Sequence, residues 1–286
     1  MFAQIFVNGI IAGSLYALLA MSFWLIYSNT KFFNMAHGTI ATVGGYAVFY
    51  FAKTLGWNIY VSIILGIFTA GIMGYLLNLI IFEKIKKRKS SNTVLLVASL
   101  GAMTIIQSFL AIIFTNQFQT LTNNYTLEKI YTIGSSVITQ TQVIIILSAF
   151  LILSLLLFIF KYTKFGKIMR AVSDDEEVAA VIGINTKRAI RQVFFLGSAI
   201  AGLAGILAGF DTGLEPIMGL HLLLKGVIAA IIGGITNIYG ALLGAFLLGL
   251  IENFGIWQIS GEWKDAIAFI LLIIFLIFRP KGIIKN

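Results

Sequence analysis

The sequence predicts an all-α fold: a polytopic integral membrane bundle of eight or nine spans, some of them broken or re-entrant. Three observations carry that expectation. Of 286 residues, 59% are hydrophobic and only 11% are charged, against about 25% charged in soluble domains. Apolar stretches near span length, roughly 17–25 residues, recur along the whole chain. The cations gather in a few segments between those stretches. This composition excludes a water-soluble domain and a disordered chain. Two histidines and no cysteine exclude most zinc, iron–sulfur and thiol chemistry. Twenty-eight glycines against two prolines suit membrane helices that pack closely through small residues.

The apolar runs cover 5–27, 33–51, 59–82, 94–114, 143–160, 193–209, 222–235, 239–256 and 265–278. The first begins beside Met1-Phe-Ala-Gln4, with no basic segment ahead of it, so it is expected to stay as a span and not to be a cleaved signal. The second is loaded with polar and glycine residues and the seventh is short; these two are the expected broken or re-entrant elements. Small residues recur every fourth position at Gly9, Gly13 and Ala17, at Gly66, Ala70 and Gly74, at Gly197, Ala201, Gly205 and Gly209, and at Gly240 and Gly244. That spacing puts each set on one helix face, where neighbouring helices pack closely. Sliding surfaces for alternating access are compatible with the same pattern.

Cations set the expected orientation. Lys84, Lys86, Lys87, Arg88 and Lys89 lie together, as do Lys161, Lys164, Lys167, Arg170, Lys187, Arg188 and Arg191, and the tail carries Arg279, Lys281 and Lys285. Even numbers of spans separate the three groups, so all three, and the C-terminus, are expected in the cytoplasm. The 115–141 and 210–220 segments carry few charges and suit the outer face. If 33–51 crosses fully, the N-terminus is outside. The formal charge of +9 is thereby explained without nucleic acid.

The longest basic loop, about 161–192, holds an isolated short helix. Ser173 followed by Glu176 reads as a capping box, and Asp174, Asp175, Glu176 and Glu177 suit the positive end of a helix dipole. Val178, Ala179, Val181 and Ile182 form an apolar patch, and Gly183 suits the stop. About nine residues, roughly 13 Å long, cannot span a bilayer. The patch faces either the protein's own base or lipid interface, or a cytoplasmic partner.

This segment resembles the cytoplasmic coupling loop of ABC-transporter permeases of the branched-chain amino acid type, the LivH/LivM family. Gly166, Arg170, Ala171, Ala179, Gly183 and Ile184 match its pattern, followed by the small-residue stretch from Ser198 to Gly205. Phe33-Asn-Met-Ala-His-Gly38 with Gly44-Gly-Tyr46 resembles a second block. Lys225-Gly-Val-Ile-Ala-Ala-Ile-Ile-Gly-Gly234, Gly240-Ala-Leu-Leu-Gly-Ala245 and Leu248-Gly-Leu-Ile-Glu252 resemble its C-terminal half. A departure stands at Ile238-Tyr239, where relatives often carry proline. The resemblance runs in order from about Gly9 to Glu252, and the length suits the LivH-type partner. It implies one permease domain over 1–286 in the cell membrane. It also implies a paralogous LivM-like subunit, two cytoplasmic ATPases and an extracytoplasmic substrate-binding protein. The coupling residues would be Gly166, Arg170, Ala171, Ser173, Asp174, Glu176, Ala179, Gly183 and Ile184. The chain lacks the Gly-x-x-x-x-Gly-Lys-Ser/Thr pattern of an ATP site, so it binds no cofactor itself and ATP belongs to the partners.

Polar residues in the runs are costly and therefore informative. Asn34, His37, Gly38, Gly44 and Gly45 suggest a broken helix end at the translocation path, or a histidine bonded to a neighbouring span. His221 reads as interfacial. Asn78 and Gln107 are expected to hydrogen-bond between helices. Lys225 and Glu252 sit at similar heights if 222–235 and 239–256 pair through a tight turn, so either they form an intramembrane ion pair or each reaches the interface alone. An intramembrane enzyme is the competing class, but Ser198 and two histidines are poor material for it. A passive channel fits the coupling-type loop badly. The substrate is a branched-chain or related amino acid, or another small polar compound such as urea, an amide or a sugar.

Overall fold

The computed structural model describes residues 2–121, 129–134, 136–235, 237–257, 259–279 and 282–284. Lys281 and Lys285 of the tail cluster lie outside them. The described chain is overwhelmingly helical and multi-pass. Among the described residues, six helical stretches are long and apolar enough to cross a membrane: α1 (Phe2–Thr30), α3 (Ile59–Leu77) with its continuation to Lys87, α5 (Asn92–Phe114), α6 (Gln140–Tyr162), α9 (Thr186–Asp211) and α11 (Ile238–Gly255). Three more of the expected spans are shorter. They are α2 (Ala36–Phe49), α10 (Met218–Gly233) and α12 (Lys264–Phe278), of 14, 16 and 15 residues. At about 1.5 Å per residue none reaches the roughly 30 Å hydrocarbon core alone. A π-helical turn, Tyr50–Thr54, lengthens α2. Another, Asn78–Phe82, joins α3 to α4 (Glu83–Lys87). The cytoplasm-type loop holds α7 (Lys164–Asp174) and α8 (Glu176–Val181).

The chain divides into two compact units. One comprises Leu25–Leu121 and Ile152–His221. Its centre is the packing of α2, α3 and α9, and small residues explain the close approach. A Cβ on Gly44 would lie 2.7 Å from Gly202 Cα. A Cβ on Gly205 would overlap the Ala41 carbonyl. The four-residue spacing of small side chains therefore marks helix contacts. The aromatic rings of Phe32, Phe82 and Phe194 fill one end, with Phe32 and Phe82 centroids 5.0 Å apart.

The other unit comprises Met1–Trp24, Thr122–Leu151 and Leu222–Asn286. Gly9 and Gly13 of α1 pack on Leu250 and Phe246 of α11, and Gly233 meets Gly240 where α10 turns into α11. Ile283 and Ile284 donate backbone bonds to Ile232 and Gly233 carbonyls, both at 3.0 Å, tying the tail to the end of α10. One element departs from the all-α expectation: β1 (Ile130–Ile133) pairs antiparallel with β2 (Ser136–Thr139), Ile130 opposite Thr139. Its β-branched run and Gly134, at φ +63°, are hairpin chemistry that the low charge of the loop obscured. Gln4 of α1 caps the edge, accepting from Val137 N–H at 2.7 Å and donating to its carbonyl at 3.0 Å.

Candidate functional site: the α7–α8 loop and the polar residues of the spans

The corner between α6 and α7 is built on Gly166. A Cβ there would overlap the Ile159 carbonyl and stand 2.5 Å from Phe160 Cα. Thr163 caps α7, accepting from Gly166 N–H at 3.0 Å. One face of α7 buries Gly166, Met169 and Val172, while Arg170 and Asp174 are exposed. Ala171 and Ser173 lie part-buried in the same helix.

The expected capping box is corrected at this point. Ser173 stays inside α7, and Asp175, with extended backbone, is the N-cap of α8. Its carboxylate accepts from Glu177 N–H at 2.8 Å and Val178 N–H at 3.0 Å. The break shortens the helix from the expected nine residues to six. A carboxylate is as good a cap as serine and sits directly before the turn, so it wins. At the other end Gly183 adopts φ +89°. Gly183 N–H reaches the Ala180 carbonyl and Ile184 N–H the Ala179 carbonyl, the paired bonds that close a helix on a left-handed glycine. Ala179 is buried, but Val178, Val181 and Ile182 are 58%, 86% and 69% exposed, so this apolar patch has no cover among the described residues. Ion pairs brace its surroundings. Lys86 pairs with Glu176. Glu83 takes Arg191 through both carboxylate oxygens, at 2.8 and 3.0 Å, and Lys87 at 3.2 Å.

Of the polar residues of the second run, Asn34 stands in the break between α1 and α2, where a helix end was expected, and His37 in the first turn of α2. Asn34, His37, Gly38, Gly44 and Gly45 are all buried, and the helix does not break at the glycines. It begins after residues 31–35 and runs on through Gly44 and Gly45, which take neighbouring backbone and side chains at close range. The amide of Asn34 has no hydrogen-bond partner among the described residues. The seventh run is likewise an unbroken helix, with Gly226 against Leu19. The Nε2 of Gln107 also makes no hydrogen bond among the described residues, where an interhelical bond was expected.

Lys225 and Glu252 meet. The lysine is 7% exposed, the glutamate fully buried, and they form an ion pair. Two further partners were not foreseen from the sequence. Tyr16 Oη donates to Glu252 Oε2 at 2.7 Å, and Asp265 Oδ1 lies 2.8 Å from Lys225 Nζ. Nothing in the spacing flags Tyr16, but an acid opening the last apolar run was a signal for Asp265. No group of three or more His, Cys, Asp or Glu suited to a metal occurs among the described residues.

Comparison with known proteins places these features in a family. The model described as "Branched-chain amino acid transport system / permease component" matches residues 5–276. The high-affinity branched-chain amino acid transport system permease protein LivH of Escherichia coli K12 is 30% identical over 296 residues, covering 99% of this chain and 95% of that protein. BraD of Pseudomonas aeruginosa, of the same description, is 30% identical over 297 residues with the same coverages. Among solved structures, PsaBC from Streptococcus pneumoniae in complex with Fab overlays with a TM-score of 0.51 at 14% identity, covering 98% of this chain and 92% of that one. This last likeness is one of fold.

Proposed function

The chain belongs to the family of branched-chain amino acid transport system permease components, and from that membership we propose that 1–286 acts as one permease domain of an ABC importer for branched-chain or related amino acids. It works with a paralogous permease, two cytoplasmic ATPases and an extracytoplasmic binding protein. The N-terminus lies outside and the C-terminus in the cytoplasm, which brings the 84–89, 161–191 and 279–285 cations to the inner face. The α7–α8 loop is the ATPase contact. Residues 34–45 stand beside the translocation path, and the buried Asn34 amide supplies polarity there when the helices part.

The single observation that carries the coupling reading is the apolar patch of Val178, Val181 and Ile182 on a helix too short to span. A helix with a finished cap, a finished stop and an uncovered apolar face is built to be covered by something else. The experiment is co-purification of the ATPase with tagged permease. Val181→Glu with Ile182→Glu should abolish recovery of the ATPase while membrane insertion is kept. Undiminished recovery would reject this loop as the contact.

A further inference from the structure

Between α4, α5, α8 and α9 lies a cavity of about 260 Å³, lined by Phe32, Phe82, Leu95 and Ile190 and by the polar groups of Asn78, Lys86, Glu176 and Lys187. The four apolar residues are at most 8% exposed and form an apolar floor. The polar groups are not equivalent. Lys86 and Glu176 are committed to each other, and Glu83 to Arg191 and Lys87. Lys187 has no carboxylate partner among the described residues. Asn78 is 4% exposed and turns what it exposes to the cavity. It also sits in the π-helical turn Asn78–Phe82, a distortion found frequently at functional sites.

We propose that this cavity is a binding site for a small carboxylate with a branched aliphatic body, the chemistry of leucine, isoleucine or valine. The aliphatic body lies on Phe32, Phe82, Leu95 and Ile190. The carboxylate meets the Lys187 ammonium and accepts from the Asn78 amide on the cavity wall. The volume is below the roughly 300–1,000 Å³ of drug-sized sites, so it suits a molecule of amino-acid size. Glu176 of α8 and Lys187 of α9 share the wall, so an occupant holds α8 against α4. On the reading of α8 as the ATPase contact, on which this second step rests, accumulated product then slows the transporter from the cytoplasmic face.

The test uses the assembled transporter in two arms. In the binding arm, leucine is titrated against thermal unfolding of the detergent-solubilised complex. Wild type should be stabilised. Asn78→Leu and Lys187→Glu should each need at least about tenfold more leucine, a loss of 1.4 kcal/mol. Equal stabilisation in wild type and both variants, or none in wild type, would overturn the site. 4-Methylpentanoate, which keeps the carboxylate and body, should also stabilise; leucinamide, which lacks the carboxylate, should not, and the reverse order overturns the assignment to Lys187. In the second arm, proteoliposomes expose the ATPases to the bath, with binding protein and leucine enclosed. Bath leucine should lower ATP hydrolysis in wild type and not in the variants, each measured against its own leucine-free rate. Binding without this inhibition would overturn the feedback role and leave the site. Loss of binding-protein stimulation in wild type would instead count against the coupling reading.

Discussion

Lys225 is a charge held among apolar helices, and its surroundings decide what its loss does. It faces two carboxylates, Glu252 and Asp265, and Glu252 is also bonded by Tyr16. Removing one partner of a buried pair costs about 3–5 kcal/mol, because the other charge is left uncompensated. Lys225→Glu would bring three acids together and should reduce folded yield more than Glu252→Lys, which leaves Asp265 beside two cations. The double swap should recover part of the yield, read as monodisperse protein on size-exclusion chromatography; no recovery would give the residues independent roles. Tyr16→Phe should be milder, about 1.5–3 kcal/mol for a bond to a charged group, read as a lower melting temperature with the fold kept.

At the scale of elements, α2, α3 and α9 are held together by what their glycines lack. Gly205→Ala puts a Cβ into the Ala41 carbonyl, whereas Gly101 in α5 has nothing within 4 Å of its Cβ position. Overpacking costs about 1–3 kcal/mol, while Gly to Ala in an open helix gains roughly 0.5–1 kcal/mol. Gly205→Ala should therefore lower the melting temperature and Gly101→Ala should hold or raise it; equal effects would contradict the packing described. This contrast also marks what sequence could say. Small residues at four-residue spacing were legible as contact faces, because periodicity alone places them. That Gly44 and Gly45 pack rather than break α2 was not legible, since it depends on Gly202 and Leu214, far along the chain. The Asp175 cap was hidden among four consecutive acids, any of which could have served. The short hairpin was missed because a loop read for its charge says little about its backbone.

For the whole molecule, composition and cation clustering sufficed for a multi-pass bundle, and motif order sufficed for the family. Span number was harder, because α2, α10 and α12 each fall short of a bilayer width. A reporter fused after Asn286 should be active only in its cytoplasmic form; activity of a periplasm-type reporter there would reverse the proposed orientation. The central claim is that this chain is the membrane path of an ATP-driven importer for branched-chain amino acids. Its most direct test is uptake of labelled leucine into proteoliposomes carrying the permease pair and ATPases, with binding protein outside and ATP inside. Uptake that needs both ATP and binding protein, competes with isoleucine and valine, and disappears with Val181→Glu and Ile182→Glu is the predicted result. Leucine uptake that proceeds without ATP, or no leucine uptake alongside ATP-dependent uptake of a sugar or urea, would contradict it.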